Sequence, residues 1–356
     1  MPGLSRQEPT LDAQRSRLEH RGRLNGVHWF AIGLSMAFTL FAWRYSVVLV
    51  DSRAQTQFER HASQVVELVR ARLDHYATAL RGGVGLVQAS RQVSLHEWHR
   101  YTDSLGLAER FPALHVFGIA YRVRTDELER FAGEQRAFYP DFDLSPAHED
   151  PVLLPISLVW PARFESGAIG LDLAREPIRR QAVERSFSLG TAQLTGPVAL
   201  GVSGRQGLIL IDAFSDVGDT SFSAGSDGGV AMAVVLTSKL LDGLSAELGS
   251  HLAIRLSDQD GPIHQDEDYA SVASSARFAS EPAVSVHGRD WVFDLSSTPL
   301  FDREAMLWIP SAVLVAGLLL NALVLTLFLS LSRSNRTALR YAARAGRALS
   351  HEREEL

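Results

Sequence analysis

Residues 306–331 read MLWIPSAVLVAGLLLNALVLTLFLSL, and residues 26–43 read GVHWFAIGLSMAFTLFAW. Neither run contains Asp, Glu, Lys or Arg. A bilayer core about 30 Å thick takes roughly 20 apolar residues of helix to cross. The second run exceeds that length, and soluble helices rarely stay uncharged for so long. The first reaches it near Val50 if Arg44 snorkels to the interface. A signal peptide is the rival reading of the first run. The residues after it, RYSVVLVDSRAQ, carry no small-residue cleavage site, and the stretch before it is long for a signal n-region. Both runs are read as retained membrane helices.

The flanks set the orientation. Arg6, Arg15, Arg17, Arg21 and Arg23 precede the first run; Arg333, Arg336, Arg340, Arg344, Arg347 and Arg353 follow the second. Positive residues stay inside, so both termini are expected in the cytoplasm of a two-span inner-membrane protein. Residues from about 45 to 305 are then expected on the periplasmic or extracellular side. The 356 residues carry a formal net charge of −6 and no cysteine, which removes disulfides, thiolate chemistry and cysteine-bound zinc. No basic patch dominates a domain, so no nucleic-acid partner is expected.

Beyond the first span, Phe58, Ala62, Val65, Val69, Leu73, Tyr76, Leu80, Val84 and Val87 recur at spacings that form an eleven-residue repeat. The repeat is compatible with packing on the chain's own domain and with a stalk through which two copies pair. Ser94 and Glu97 have capping-box spacing for a second helix. A strand is expected over 113–123, a short one over 156–160, and a helix over 176–189 with Pro177 in its first turn and Gly190 at its end. Strands follow over 192–200, 207–214 and 229–236, then an amphipathic helix over 237–248. A last β-rich part covers 251–257, 282–287 and 291–297, with His287-Gly288-Arg289-Asp290 as a hairpin turn.

FPALHVFGIAYRV at 111–123 and VWPARFESGAIGLDLAREPIRRQAVERSFSLGTAQLTGPVAL at 159–200, set between two spans, resemble the CHASE extracellular sensing domain. That domain occurs in bacterial histidine kinases and diguanylate cyclases and in plant cytokinin receptors. Phe111-Pro112, Gly170-Leu171-Asp172, Arg179-Arg180, Leu194-Thr195 and the closing VSVHGRDWVFDLSSTPLF carry the likeness, which spans about 52–305. It implies an α+β fold: a long stalk helix, then two tandem PAS-like units, with ligand in the membrane-distal one. In cytokinin-binding members a carboxylate contacts the adenine-like ring and a threonine lies close by. Thr195 matches the threonine, whereas Arg163 stands nearest the position of the acid. A guanidinium there favours an anionic or carbonyl-rich ligand over a purine.

The expected organisation is a cytoplasmic tail (1–25), a membrane helix (26–50), the stalk (51–93), a distal unit (94–248) and a proximal unit (249–305). A second membrane helix (306–331) and a cytoplasmic signalling helix (332–356) complete it. The expected ligand site has Phe117, Trp160 and Leu208 as apolar walls and Thr195 and Arg163 as polar contacts. Gly170 and Asp172 are read as a turn and a cap, and Arg179 and Arg180 as helix residues paired with Asp172 or Glu176. No catalytic constellation emerges: His96 and His99 lack a third ligand, and there is no G-x-S-x-G, GxGxxG or P-loop. No cofactor is expected. The leading reading is a sensor of a small, anionic molecule, homodimeric through the stalk, that drives an output enzyme (a histidine kinase or a cyclic-di-GMP enzyme) lying beyond residue 356. A periplasmic interaction or adhesion module is the alternative, and a membrane-bound hydrolase a third.

Overall fold

The apolar repeat folds into one helix, α1 (Gly26–Ala89). The computed structural model describes residues 26–90, 92–144, 150–200, 205–215, 226–242 and 251–354. Two compact units divide the chain: residues 56–302, and a second unit of residues up to 55 and from 303 onward.

Within residues 56–302, α1 leads to α2 (Leu95–Ser104) and α3 (Leu107–Arg110). The Ser94–Glu97 capping box closes reciprocally at the start of α2. Then come β1 (Leu114–Arg124), α4 (Leu128–Gln135), β2 (Val152–Leu153), β3 (Ile156–Trp160), α5 (Glu165–Ala168) and α6 (Pro177–Leu189). The distal unit closes with β4 (Gln193–Leu194), β5 (Val198–Leu200), β6 (Arg205–Ser215), β7 (Ser226–Leu236) and α7 (Thr237–Leu240). Gly196 and Pro197 split the single strand expected over 192–200 into β4 and β5. Of the helix expected over 237–248, α7 is the helical part among the described residues; 243–248 lie outside them.

Among the described residues these strands make a seven-stranded antiparallel sheet of PAS-like order. β1 lies between β7 on one side and β2 and β3 on the other, and β6 lies between β7 and the short β4 and β5. The proximal unit holds β8 (Leu252–Asp258), β9 (Gly261–Gln265), α8 (Tyr269–Ala273), β10 (Ala279–Ser280), β11 (Ala283–Val286) and β12 (Arg289–Ser297). In its sheet β12 pairs with β8, β10 and β11, and β8 also pairs with β9.

All nine positions of the repeat are buried, with Val65, Val69, Leu73 and Leu80 at 0% exposure. The repeat is therefore spent on the chain's own domain and does not form a seam between copies. The outward face of α1 carries Glu59, Arg60, Ser63, Glu67, Arg70, Asp74 and Thr78, all exposed and polar. Tyr76 and Gly83 press on the distal unit: the Tyr76 hydroxyl accepts the Ala113 N–H at 3.4 Å, and a Cβ on Gly83 would lie 3.0 Å from the Phe117 ring. Phe58 serves the proximal unit, 5.9 Å from both Phe278 and Phe301. One helix thus anchors both sheets.

Chain order places α9 (Pro299–Glu304) and α10 (Ile309–Glu354) last. In the second unit, the first part of α1 and residues 309–331 of α10 are long and apolar enough to cross a membrane. They meet where Asn321 Nδ2 donates to Thr39 Oγ1 at 3.0 Å and to the Gly317 carbonyl at 2.8 Å. Gly317 is needed there, because a Cβ would overlap the Thr39 side chain.

Among the described residues, the stalk-facing side of the distal sheet holds a buried charge. Asp212, fully buried on β6, lies 3.0 Å from Arg81 Nε without hydrogen-bond geometry. Burial pushes its carboxyl above the ordinary aspartate range, and the Arg81 field only partly offsets this. Its folded pKa exceeds its unfolded one, so the native state takes up a proton first and gains stability as pH falls. The wild-type unfolding midpoint should therefore rise from pH 7 into mild acid relative to Asp212→Asn, which lacks the proton. Parallel curves for the two proteins, by thermal unfolding across pH 4.5–7.5, would refute a charged, poorly compensated Asp212.

Candidate ligand site

Only one face of the distal sheet is open to α5, α6 and the loops between them, because α1 covers the other. On that face a cavity of about 400 Å³ remains. Val116, Ile209, Met232 and Val234 form its floor from β1, β6 and β7, while Phe164, Leu171 and Leu173 close it from the opposite side. The covering segment is strapped to the edge of the sheet. Gly170 N donates to the Ile156 carbonyl at 2.9 Å, Ile156 N to Leu171 at 3.0 Å, and Leu173 N to Leu154 at 2.9 Å. Gly170 has φ +81°, and a Cβ there would overlap the Asp143 carbonyl. Asp172 accepts the N–H groups of Leu154 (2.9 Å) and Ala174 (3.1 Å), so the turn-and-cap reading of this pair describes what they do.

Three polar side chains reach the cavity: His115, Arg163 and Arg179. His115 arrives through a fault in the ladder. Leu114 pairs with Val235 and Val116 with Val234, so His115 is the extra residue of a β-bulge. A bulge re-aims a side chain, which explains why two successive residues, His115 and Val116, line the same cavity. The His115 ring meets the edge of Phe164 at 4.7 Å, and the Arg163 guanidinium lies 5.0 Å from the same ring. Burial, then the positive fields of Arg205, Arg163 and Lys239, hold the His115 imidazole below the ordinary histidine range. Arg179, in the first turn of α6, gives one amino group to Glu176 at 3.2 Å, and its Nε is buried with no acceptor among the described residues.

Of the five residues expected in the site, Arg163 lines this cavity. Phe117 and Leu208 lie on the stalk side of the sheet. Phe117 is the register partner of Ala233, two places from Ala231 opposite Asp212, and it stacks on Trp98 at 5.3 Å. Leu208 pairs with Val235, one residue out of phase with Ile209 on the cavity floor. Trp160 pairs with Phe117 and shares its face. Thr195 is fully buried beside the floor, where its hydroxyl accepts the Ile209 N–H at 2.9 Å and its own N–H donates to the Ile209 carbonyl at 2.9 Å. Arg179 is expected from the sequence as a helix residue paired with Asp172 or Glu176, and nothing there singles out His115, Phe164, Ile209 or Met232. Pairing signals were present for the last two, since Ile209 and Met232 alternate with Leu208 and Ala233.

A second hollow of about 630 Å³ lies toward the far end of β1, lined by Arg122, Asp150, Arg180 and Phe187 among others. Its cations are already matched: Arg122 with Asp227 at 3.3 Å and Arg180 with Asp150 at 3.0 Å. The cavity at His115 differs in keeping a guanidinium, that of Arg163, with no ion-pair partner among the described residues.

Residues 91–268 match the family profile of the CHASE domain. No curated protein is significantly similar to the chain. Among solved structures, an extracellular ligand binding receptor from Desulfohalobium retbaense DSM5692 is similar at 12% identity and a TM-score of 0.44, over 68% of this chain. The chain spans 40% of that receptor's length. The ligand-binding domain of the Pseudomonas aeruginosa PAO1 amino acid chemoreceptor PctC, in complex with GABA, is similar at 11% identity and a TM-score of 0.42, over 68% of this chain and 99% of its own. The periplasmic sensory domain of the Campylobacter jejuni chemoreceptor Tlp1 gives 12% and 0.40, over 70% and 95%.

The geometry of Thr195 makes its role measurable. Thr195→Val leaves the buried Ile209 N–H without an acceptor, and should cost about 1–3 kcal/mol of stability. Chemical denaturation checks this; a variant as stable as the wild type would free the hydroxyl for a ligand.

Proposed function

The chain belongs to the CHASE-domain family, and from that premise we propose that it is the sensing part of a membrane receptor, with the cavity under Phe164 as its ligand site. One observation carries the reading: a half-open, largely apolar cavity whose polar side chains among the described residues are His115, Arg163 and Arg179, with no carboxylate among them. A cationic cavity of this kind binds a small anion. The proposed site keeps Arg163 and adds His115, Phe164 and Arg179, with Thr195 holding the strand beside the floor.

The proposed route of the signal follows the bonds of α6 and β4. A ligand that engages Arg179 draws on the first turn of α6, and Arg185 farther along α6 donates to the Gly288 carbonyl at 3.2 Å. Leu194 N, next to Thr195, donates to the His287 carbonyl at 2.9 Å. Both bonds end on the β11–β12 hairpin, and β12 is followed in the chain by α9 and the second membrane helix. A ligand that favours one setting of this joint shifts the population of the whole receptor. We also propose both termini in the cytoplasm, a histidine kinase or cyclic-di-GMP enzyme as the output, and pairing of two copies through a surface other than the buried repeat. The N-terminal arginines behind the orientation lie outside the described residues.

Thermal shift of the whole chain in detergent against a metabolite library, wild type beside Arg163→Ala, tests the site. Removing a charge-assisted bond worth about 1.5–3 kcal/mol should weaken anionic hits roughly ten- to hundredfold. Equal binding of every hit by both proteins would place the ligand elsewhere.

A further inference from the structure

We propose that the ligand is a monocarboxylate with a hydrocarbon body, bearing neither an ammonium nor hydroxyl groups, and that its uptake is coupled to a proton through His115. The proposal rests on the reading that this cavity is the sensing site, and it deepens that reading from the composition of the walls. The described residues lining the cavity include no Ser, Thr, Tyr, Asn, Gln, Asp or Glu. A sugar, a nucleobase or an α-amino acid would bury hydroxyl, amide or ammonium groups against Val116, Leu173, Ile209, Met232 and Val234, with nothing to pair them. An unpaired polar group forfeits its solvation, and an unpaired charge forfeits far more. The polar group of the ligand is therefore placed where it meets His115, Arg163 or Arg179.

Arg163 has no ion-pair partner among the described residues, while Glu176 already takes part of the charge of Arg179. The buried Nε of Arg179 still lacks an acceptor. A carboxylate offers the planar oxygens that suit a free guanidinium, and Arg163 supplies one.

His115 sets the proton linkage. The charged groups acting on it are Arg163, Arg205 on β6 and Lys239 on α7, all positive, and Phe164 packs on its ring. With the cavity empty, these fields oppose a further positive charge on the imidazole. A carboxylate placed among them removes the opposition, so binding draws in a proton and tightens as pH falls.

Isothermal titration of the whole chain in lipid nanodiscs, with protein-free discs as the blank, tests both parts. The probes are butanoate to octanoate, the matching 1-alkanols and alkylamines, and norleucine. The acids should bind, tightening about fourfold per methylene, as burial of about 0.8 kcal/mol per CH₂ requires. Alcohols, amines and norleucine should bind at least about tenfold more weakly, an unpaired polar group being the cause. Binding of the acids should tighten between pH 8 and pH 6 in the wild type and not in His115→Asn; an equal slope in both overturns the proton coupling. Amines or norleucine binding as well as the acids, and blocked by Gly167→Phe, would overturn the ligand class while leaving the cavity as the site. Gly167 is suited to that block, since it lines the cavity and nothing lies within 4 Å of an added Cβ. Acid binding untouched by both Gly167→Phe and Arg163→Ala would overturn the site itself, and failure of every acid to bind overturns the proposal.

Discussion

The distal sheet is covered on both faces, and most of the remaining structure follows from which element covers which. One face is taken by α1, whose nine repeat positions are all buried. Gly83 lets that helix approach until the Phe117 ring sits where a longer side chain would go. A ligand therefore has a single face to enter, the one under α5 and α6. Covering both faces also explains the composition of β1, β6 and β7. Strands buried on both sides read as continuous apolar runs and not as alternation.

Charges within such a sheet are costly unless something compensates them. Among the described residues, Asp212 on the stalk side and the cationic group around His115 on the cavity side are poorly compensated. In the proximal unit one arginine is well matched. Arg289, nearly buried, donates to Asp258 at 2.7 and 2.9 Å and to Asp260 at 2.6 Å. A guanidinium locked by two carboxylates fixes a hairpin, whereas Arg163 and the Nε of Arg179 keep bonding capacity that the fold does not use.

Local rules carried the sequence reading a long way. The spans, the capping box at Ser94 and Glu97, the turn at Gly170, the cap at Asp172 and the helix from Pro177 to Gly190 each depend on a few neighbouring residues. So does the hairpin, where His287 (φ +46°) and Gly288 (φ +79°) form the two-residue turn between β11 and β12. The site was less legible because its determinants are not local. From Val116 to Ala120 the strand is apolar on both faces, so the sequence puts Phe117 and Leu208 on the cavity side, whereas the pleat turns them to α1. A one-residue fault then brings in His115, and no pattern in one strand predicts a bulge whose partner strand lies over a hundred residues away. Arg163 enters the expected site through the resemblance to the CHASE domain, and it lines the cavity.

The same hairpin gives the domain a joint. Gly288 packs so closely that a Cβ would overlap the Gln193 amide. His287 Nε2 stands 3.1 Å from Asp74 on α1. A turn held at once by α1, α6 and β4 cannot follow one of them without straining its bonds to the others. The ligand cavity touches α6 through Arg179 and lies one ladder bond from β4 through Ile209 and Thr195. Packed interfaces of this sort switch between discrete arrangements and do not deform continuously. On the proposed reading, a ligand in the cavity selects one setting of the hairpin. β12 carries that setting toward the end of the domain, because its register with β8 runs unbroken from Trp291 to Ser297.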